Sequence, residues 1–317
     1  MHKFDSSVFL SIVVSVYNEQ DCLAEFYATV KQILEDFFER YEIIFVNDGS
    51  EDNTYEILNA IYEKDKSHVR VIHFSRNFGH EAAMIAGIDH AYGNYVICLD
   101  ADLQHPPQYI PQMVQKSIQG YEIVLMKRNE RADQSWIGKT FSNFFYKVLN
   151  SISEYKLESS ASDFFLITKE IKEILRVHFR HEARFLRGYI QMIGYRKTFL
   201  KYDAPARAAG KSKYNYKKLV LLSIDAIIAF SNKPLNLGIF TGIFIAICSI
   251  LVTIYSIVMY FIDRPVSGYT TLAVLISFLF SVTLIVIGIV GKYIGCMFSE
   301  IKSNPIYIIQ EIKENDD

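Results

Sequence analysis

Tyr95-Val96-Ile97-Cys98-Leu99-Asp100-Ala101-Asp102-Leu103-Gln104-His105-Pro106-Pro107 is the stretch that decides the fold class. Five apolar or aromatic residues run into two carboxylates, and two prolines then stop the extended run and open a helix. A short apolar run bounded in this way reads as a strand buried on both faces, as in a parallel sheet under helices. At a strand end, residues i and i+2 point the same way, so Asp100 and Asp102 can reach one cation. Hard oxygen donors suit Mg2+ or Mn2+, which bridge diphosphates. Such a metal stabilises charge gathering on a departing nucleoside diphosphate. An isolated Asp-x-Asp is more often a solvated turn. The buried strand before this one and the Pro106-Pro107 stop after it favour metal binding.

The same grammar repeats on both sides. Leu10–Val16, Glu42–Asn47, Val69–Phe74 and Glu122–Met126 are further Val- and Ile-rich runs. Helical patterns near 20–39, 52–66, 80–92 and 107–119 separate them. Strand–helix alternation of this kind predicts an α/β nucleotide-binding domain with a mostly parallel sheet. Four strands end in polar clusters: Tyr17-Asn18-Glu19, Asn47-Asp48-Gly49-Ser50, Ser75-Arg76-Asn77 and Asp100-Ala101-Asp102. Ligands of such sheets lie beyond the carboxyl ends of the strands, so these clusters outline a site.

The C-terminal third has another character. Residues 234–262 and 265–291 carry no charge, and each run exceeds the roughly 20 residues a helix needs to cross a bilayer. Arg196 to Lys218 holds eight basic residues against one acid, Asp203, just before the first run. Lys233, Lys292 and Lys302 flank the runs, while Arg264 is the only base between them. The positive-inside rule then places both termini and the catalytic domain in the cytoplasm, anchored by a multi-pass hairpin in the inner membrane. Lys218 to Phe230 reads as an amphipathic helix in the membrane interface. The expected organisation is a catalytic domain over 1–215, an interfacial helix over 216–233, a two-span hairpin over 234–300 and a tail over 301–317. Cys22, Cys98, Cys248 and Cys296 lack metal or redox spacing. Val8 to Val16 is followed at once by polar residues without a cleavage signature, so it reads as a strand and not a signal peptide.

Val13-Val14-Ser15-Val16-Tyr17-Asn18-Glu19, Phe45-Val46-Asn47-Asp48-Gly49-Ser50, Arg76-Asn77-Phe78-Gly79-His80 and Asp100-Ala101-Asp102-Leu103-Gln104 together resemble the family 2 glycosyltransferases of GT-A fold. More narrowly, they resemble the polyisoprenyl-phosphate glycosyltransferases, which include bactoprenol glucosyltransferases and dolichol-phosphate mannose synthase. The likeness extends through Arg184-Phe185-Leu186-Arg187-Gly188 and Gly210-Lys211-Ser212-Lys213-Tyr214 to the two apolar runs. It implies that Tyr17 and Glu19 line the base and ribose pocket and that Asp48 contacts a uracil-type base. Arg76, Asn77 and Gly79 would lie near the ribose and diphosphate, with Asp100, Asp102 and Gln104 organising the metal and the donor. Two positions depart from the family pattern. Ser15 stands where many relatives have proline, which bears on strand-end rigidity. Phe165 follows Asp163-Phe164 where relatives often have arginine, which leaves that arginine's contact unfilled.

The resemblance implies inverting transfer of a sugar, with a UDP-sugar as donor and glucose as first choice, to polyprenyl (undecaprenyl) phosphate. A phosphate is already ionised near neutral pH, so it needs positioning and neutralisation more than deprotonation. Arginine and lysine supply that. Arg128, Arg131, Lys139, Ser142, Arg207, Ser212 and Lys213 are the lipid-phosphate candidates, and Asp163 is either a base or an orienting group. The alternative is a family 2 enzyme acting on a sugar hydroxyl. Processive members of that kind carry Gln-x-x-Arg-Trp, whereas the one tryptophan here follows Gln134-Ser135. Expected partners are the donor, the lipid acceptor, the bilayer, a flippase, a downstream glycosyltransferase and further copies of the chain, with no nucleic acid.

Overall fold

A computed structural model describes residues 3–129, 158, 161–180 and 186–203, part of 240–262, then 268–302 and 304–315. The chain forms two compact units, one of Met1–Asn150, Tyr155–Lys218 and Pro305–Asp317, the other of Ser151–Glu154 and Leu219–Asn304.

The first unit is built on an eight-stranded sheet. In chain order its elements are β1 (Phe4–Val16), α1 (Leu23–Phe37), β2 (Phe38–Asn47), α2 (Thr54–Lys64), β3 (Val69–Phe74), α3 (His80–His90), β4 (Tyr95–Asp100), a 3-10 turn (Pro107–Tyr109), α4 (Ile110–Ile118) and β5 (Ile123–Arg128). After these come β6 (Ala161–Thr168), α5 (Lys169–His178), α6 (Leu186–Met192), β7 (Lys197–Tyr202) and, beyond the helix α7 (Tyr269–Lys302) of the second unit, β8 (Ile309–Lys313). The strand order is β7-β5-β6-β4-β1-β2-β3-β8. β4, β1, β2 and β3 are mutually parallel, so their carboxyl ends share one edge. β6 runs antiparallel between β4 and β5, and β8 runs antiparallel to β3.

Side-chain alternation sorts residues onto the two faces. Leu10, Ile12, Val14 and Val16 of β1, Ile97 and Leu99 of β4, and Phe164 and Leu166 of β6 join one core with Leu23, Phe26, Val30 and Leu34 of α1. The intervening residues face α3, which packs closely: a Cβ on Gly87 would lie 2.2 Å from Val13 Cγ1. Asp100, Asp163 and Ser15 belong by parity to this α3 face.

One expectation changes. Residues 301–317 do not form a separate tail, because Ile309–Lys313 closes the sheet against β3. Its hold is polar as well: Arg70 pairs with buried Glu42 and with Glu314, and Tyr55 donates to Glu311. A strand edge left bare would expose unpaired backbone groups, and β8 covers that edge. Of the expected two-span hairpin, the structure describes nearly all of the second run and part of the first. Among the described residues one helix, α7, is long and apolar enough to cross a membrane, with Phe278–Gly295 at mean hydropathy 2.0 and its side chains unburied. The interfacial segment 216–233 and much of the first apolar run lie outside the described residues.

Candidate active site

Two loops at the carboxyl edge clasp each other. The Asn18 backbone N–H donates to Ser50 Oγ (3.0 Å), the Glu51 N–H to Asn18 Oδ1 (2.8 Å), and the Glu19 N–H to Thr54 Oγ1 (3.0 Å). Asn18 adopts φ +54°, a left-handed conformation that asparagine tolerates better than most residues. Tyr17 is exposed above this clasp, while the Glu19 carboxylate accepts from Cys22 Sγ.

Asp48 is buried, and its carboxylate receives the backbone N–H groups of Phe78 (2.6 Å) and Gly79 (2.9 Å). Asn77 Nδ2 donates to the Asp48 carbonyl (3.2 Å). The group expected to read a base therefore holds the β3–α3 loop. Gly49 makes this approach possible: its φ is +66°, and a Cβ there would lie 2.5 Å from the Arg76 carbonyl carbon. Arg76 lies over the Phe78 ring, 4.0 Å from its centroid, and is exposed beside Asn77. Beneath the loops, Asn47 Nδ2 donates to His73 Nδ1 (3.1 Å) and His73 Nε2 donates to Asn59 Oδ1 (3.1 Å). Burial pushes the His73 pKa down to about 4.

Asp100 ends β4, and Asp102 lies in the turn beyond it, where Asp102 Oδ1 accepts the Gln104 backbone N–H (3.0 Å). Leu103 between them has φ +58°, a strained value for a branched side chain. The Asp100 backbone N–H donates to His105 Nδ1 (3.0 Å), and the buried His105 ring stacks on Phe164. The Gln104 amide oxygen accepts from Arg128 Nη2 (3.0 Å), which joins a residue expected at the metal to one expected at the lipid phosphate.

No group of three His, Cys, Asp or Glu side chains suited to a metal occurs among the described residues. Two carboxylates still fit Mg2+ or Mn2+, which bind through one or two carboxylates and complete their shell with water and substrate phosphate oxygens.

β6 adds a third carboxylate. The antiparallel register pairs Cys98 with Phe165, and two residues further it brings Asp163 opposite Asp100. Cross-strand neighbours on one face have Cβ atoms only about 5 Å apart, so like charges here need compensation. Arg187 Nε lies 2.9 Å from Asp163 Oδ1. His80 Nε2 lies 3.5 Å from Asp100 Oδ1 and 3.8 Å from Asp163 Oδ2, and its Nδ1 meets Ser15 Oγ at 3.1 Å. Burial works to lower the His80 pKa, but Asp100, Asp163 and Glu81 outweigh it and hold it above the ordinary imidazole value. Burial, and then Asp163, push Glu81 up to about 7. Glu81 Oε2 accepts the Leu186 backbone N–H (2.8 Å), which fixes the first residue of α6 next to Arg187.

His80, Glu81, Arg187 and Ser15 carry no role in the sequence reading, although each lies in or beside a quoted motif. Ser15, read as a matter of strand-end rigidity, is a hydrogen-bond partner of His80. Phe165, where relatives have arginine, is buried against β4 and β5, and the cation beside Asp163 comes from α6. Arg131, Lys139, Ser142, Arg207, Ser212 and Lys213 lie outside the described residues. A cavity lined by Asn94, Tyr121, Glu122 and Lys169 opens at the opposite edge of the sheet, away from these carboxylates.

Residues 11–190 match the family model described as Glycosyl transferase family 2. The chain is 37% identical over 305 residues to the uncharacterized glycosyltransferase YkcC of Bacillus subtilis (strain 168), covering 95% of this chain and 93% of that one. It is 38% identical over 306 residues to the bactoprenol glucosyl transferase of Shigella phage SfV, covering 96% and 99%. Among solved structures, glucosyl-3-phosphoglycerate synthase from Mycobacterium tuberculosis with Mn2+, UDP-glucose and phosphoglyceric acid gives a TM-score of 0.48 at 16% identity, over 70% of this chain and 78% of that one.

Proposed function

This chain belongs to glycosyl transferase family 2, and from that premise we propose that it transfers a sugar from a nucleotide-sugar to the phosphate of a polyprenyl phosphate at a membrane. The donor is a UDP-sugar with glucose as first candidate, and a divalent metal, Mg2+ or Mn2+, assists. Likeness over nearly full length to a protein named bactoprenol glucosyl transferase supports the acceptor class. The apolar helix α7 supports attachment to a membrane, and the uncharged run before it supports a two-span hairpin with the catalytic domain in the cytoplasm. The observation that carries the reading is the Asp100–Asp102 pair at the end of a parallel strand, beside two clasped loops of the kind that cradle a nucleotide.

In this reading Tyr17, Glu19, Arg76, Asn77 and Gly79 surround the nucleoside, and Asp48 acts by holding the loop that bears three of them. Asp100 and Asp102 would hold the metal, which would supply positive charge to offset that gathering on the departing diphosphate. Gln104 steers Arg128 toward the phosphates. The acceptor phosphate arrives ionised, so its oxygen attacks the anomeric carbon from the face opposite the leaving group without a dedicated base. The carbon–diphosphate bond breaks as the carbon–phosphate-oxygen bond forms, which inverts the configuration. Arg131, Lys139, Ser142, Arg207, Ser212 and Lys213 are proposed to help neutralise the acceptor.

The test uses membranes containing the full chain, a panel of labelled nucleotide-sugars and undecaprenyl phosphate. Label entering the organic phase, dependent on both Mg2+ or Mn2+ and the added lipid, is the expected result. Label that instead enters a water-soluble saccharide, with the lipid without effect, overturns the acceptor assignment.

A further inference from the structure

We propose that the cleft where β4 and β5 begin, at the sheet edge opposite the candidate active site, binds a small neutral polyhydroxylated molecule of the saccharide class. It is a second site, and it stands whether or not the sugar-transfer reading does.

Strand register puts the residues of this site in one row. Tyr95 of β4 pairs with Thr168 of β6. One step beyond the Ile123–Ile167 pair, Thr168 stands opposite Glu122, and its backbone N–H donates to the Glu122 carbonyl (3.1 Å). Residues directly opposite each other on neighbouring strands share a face. By parity the row follows Ile97, Leu166 and Val124, so it marks the place where the core shared with α4 gives way to polar side chains. A cavity of about 270 Å3 opens there, lined among others by Tyr95, Tyr121, Glu122, Thr168 and Lys169.

Two polar atoms of the row are left over. Glu122 Oε2 and Thr168 Oγ1 are buried, and neither has a hydrogen-bond partner among the described residues. Thr168 also precedes the first residue of α5, where a threonine hydroxyl commonly caps the helix, and here it makes no capping bond. Burying a polar atom unpaired is costly, so two of them side by side in one cavity point to a ligand that bonds both. A carboxylate oxygen only accepts, whereas a hydroxyl donates and accepts. Adjacent hydroxyls on one molecule answer both needs.

Charge and shape narrow the class. Glu122 and Glu170 in the lining are balanced by Lys169 and by Arg196, whose Nη1 lies 3.2 Å from the place of a Cβ on Gly120. The Glu170 carboxylate already accepts from the Tyr195 hydroxyl (2.7 Å). This balance favours a neutral ligand over a phosphate or a polyamine. Half-buried Tyr95 and Tyr121 add aromatic surface on which the C–H face of a sugar can rest. The volume falls below the range of about 300–1,000 Å3 usual for drug-sized ligands, which limits the occupant to a single sugar ring.

The experiment uses the full chain in nanodiscs, with saturating UDP and no sugar-based detergent. Saturation-transfer NMR and calorimetry are run with glucose, galactose, mannose and N-acetylglucosamine, and with spermidine and inorganic phosphate as charged comparators. At least one saccharide should bind without displacing UDP. Glu122→Leu and Thr168→Val should each weaken that binding by about 10-fold or more, with UDP affinity within about twofold of wild type. Their Tm should equal or exceed that of wild type, because an apolar replacement removes a buried group that had no partner, whereas a purely structural role would lower it. Thr168→Ser keeps the hydroxyl and should bind as wild type does. No saccharide bound by the wild type, binding undiminished in Thr168→Val, or binding lost equally in Thr168→Ser overturns the proposal. Spermidine or phosphate bound in place of the saccharides, with sensitivity to Glu122→Leu, overturns the ligand class.

Discussion

Replacing Asp48 by asparagine separates reading a base from holding a loop. The buried carboxylate accepts two backbone N–H groups, at 2.6 and 2.9 Å, from consecutive residues of the loop that carries Arg76 and Asn77. Asparagine keeps the shape but has one oxygen, so one N–H keeps an acceptor and the other meets an amide NH2. A lost charge-assisted bond together with a buried donor left unmade costs about 3 kcal/mol. For a unit of this size that lowers Tm by about 6–12 °C. Thermal unfolding of the purified, ligand-free protein measures this directly. Calorimetry with UDP and with a second nucleoside diphosphate measures the rest. The loop role predicts a lower Tm without ligand and a loss of affinity by the same factor for both nucleotides. A ligand-free Tm equal to wild type, with only the preference for uridine altered, would show that Asp48 meets the base and refute the reasoning.

Asp102→Asn should lower transfer by at least about 100-fold, the scale of one strong transition-state stabiliser, and should weaken Mn2+ binding measured by calorimetry with UDP present. Normal turnover with intact metal affinity removes Asp102 from the site. His73 takes its proton only near pH 4 when folded but near 6.5 when unfolded. Stability from this group is therefore full above pH 6.5 and falls as pH drops toward 4, by about 3 kcal/mol in all. In His73→Gln the fall in urea midpoint between pH 7 and pH 4.5 should be smaller, and an identical acid limb would contradict the assignment. A cysteine placed between residues 263 and 269 should react with an impermeant reagent outside the cell, whereas one at Gln310 should not. Labelling of both from outside contradicts the two-span arrangement.

Much of the first unit was legible because its signals are local. Apolar runs of five to seven residues, each stopped by a polar cluster, mark β1 to β4 within a residue or two at their carboxyl ends. The helices between them follow from the spacing of residues such as Leu23, Phe26, Val30 and Leu34. Asp100 and Asp102 were recognisable because their chemistry, their spacing and the Pro106-Pro107 stop all lie within one short stretch.

Other features depend on which strands become neighbours. Nothing near Ile309 announces an edge strand, since its partner β3 lies more than two hundred residues earlier and the pairing is completed by Arg70, Glu42 and Glu314. Asp163 opposes Asp100 only because β6 enters the sheet antiparallel beside β4. The sequence by itself determined the alternation of strands and helices, the carboxylate pair at a strand end and the uncharged runs, because periodicity and turn chemistry act over a few residues. Only the tertiary structure decided that Asp48 serves the Arg76–Gly79 loop, that Ser15 and His80 meet, and that Arg187 stands against Asp163. Those contacts join residues distant in the chain, and they are set by sheet order and helix packing, to which no local pattern corresponds.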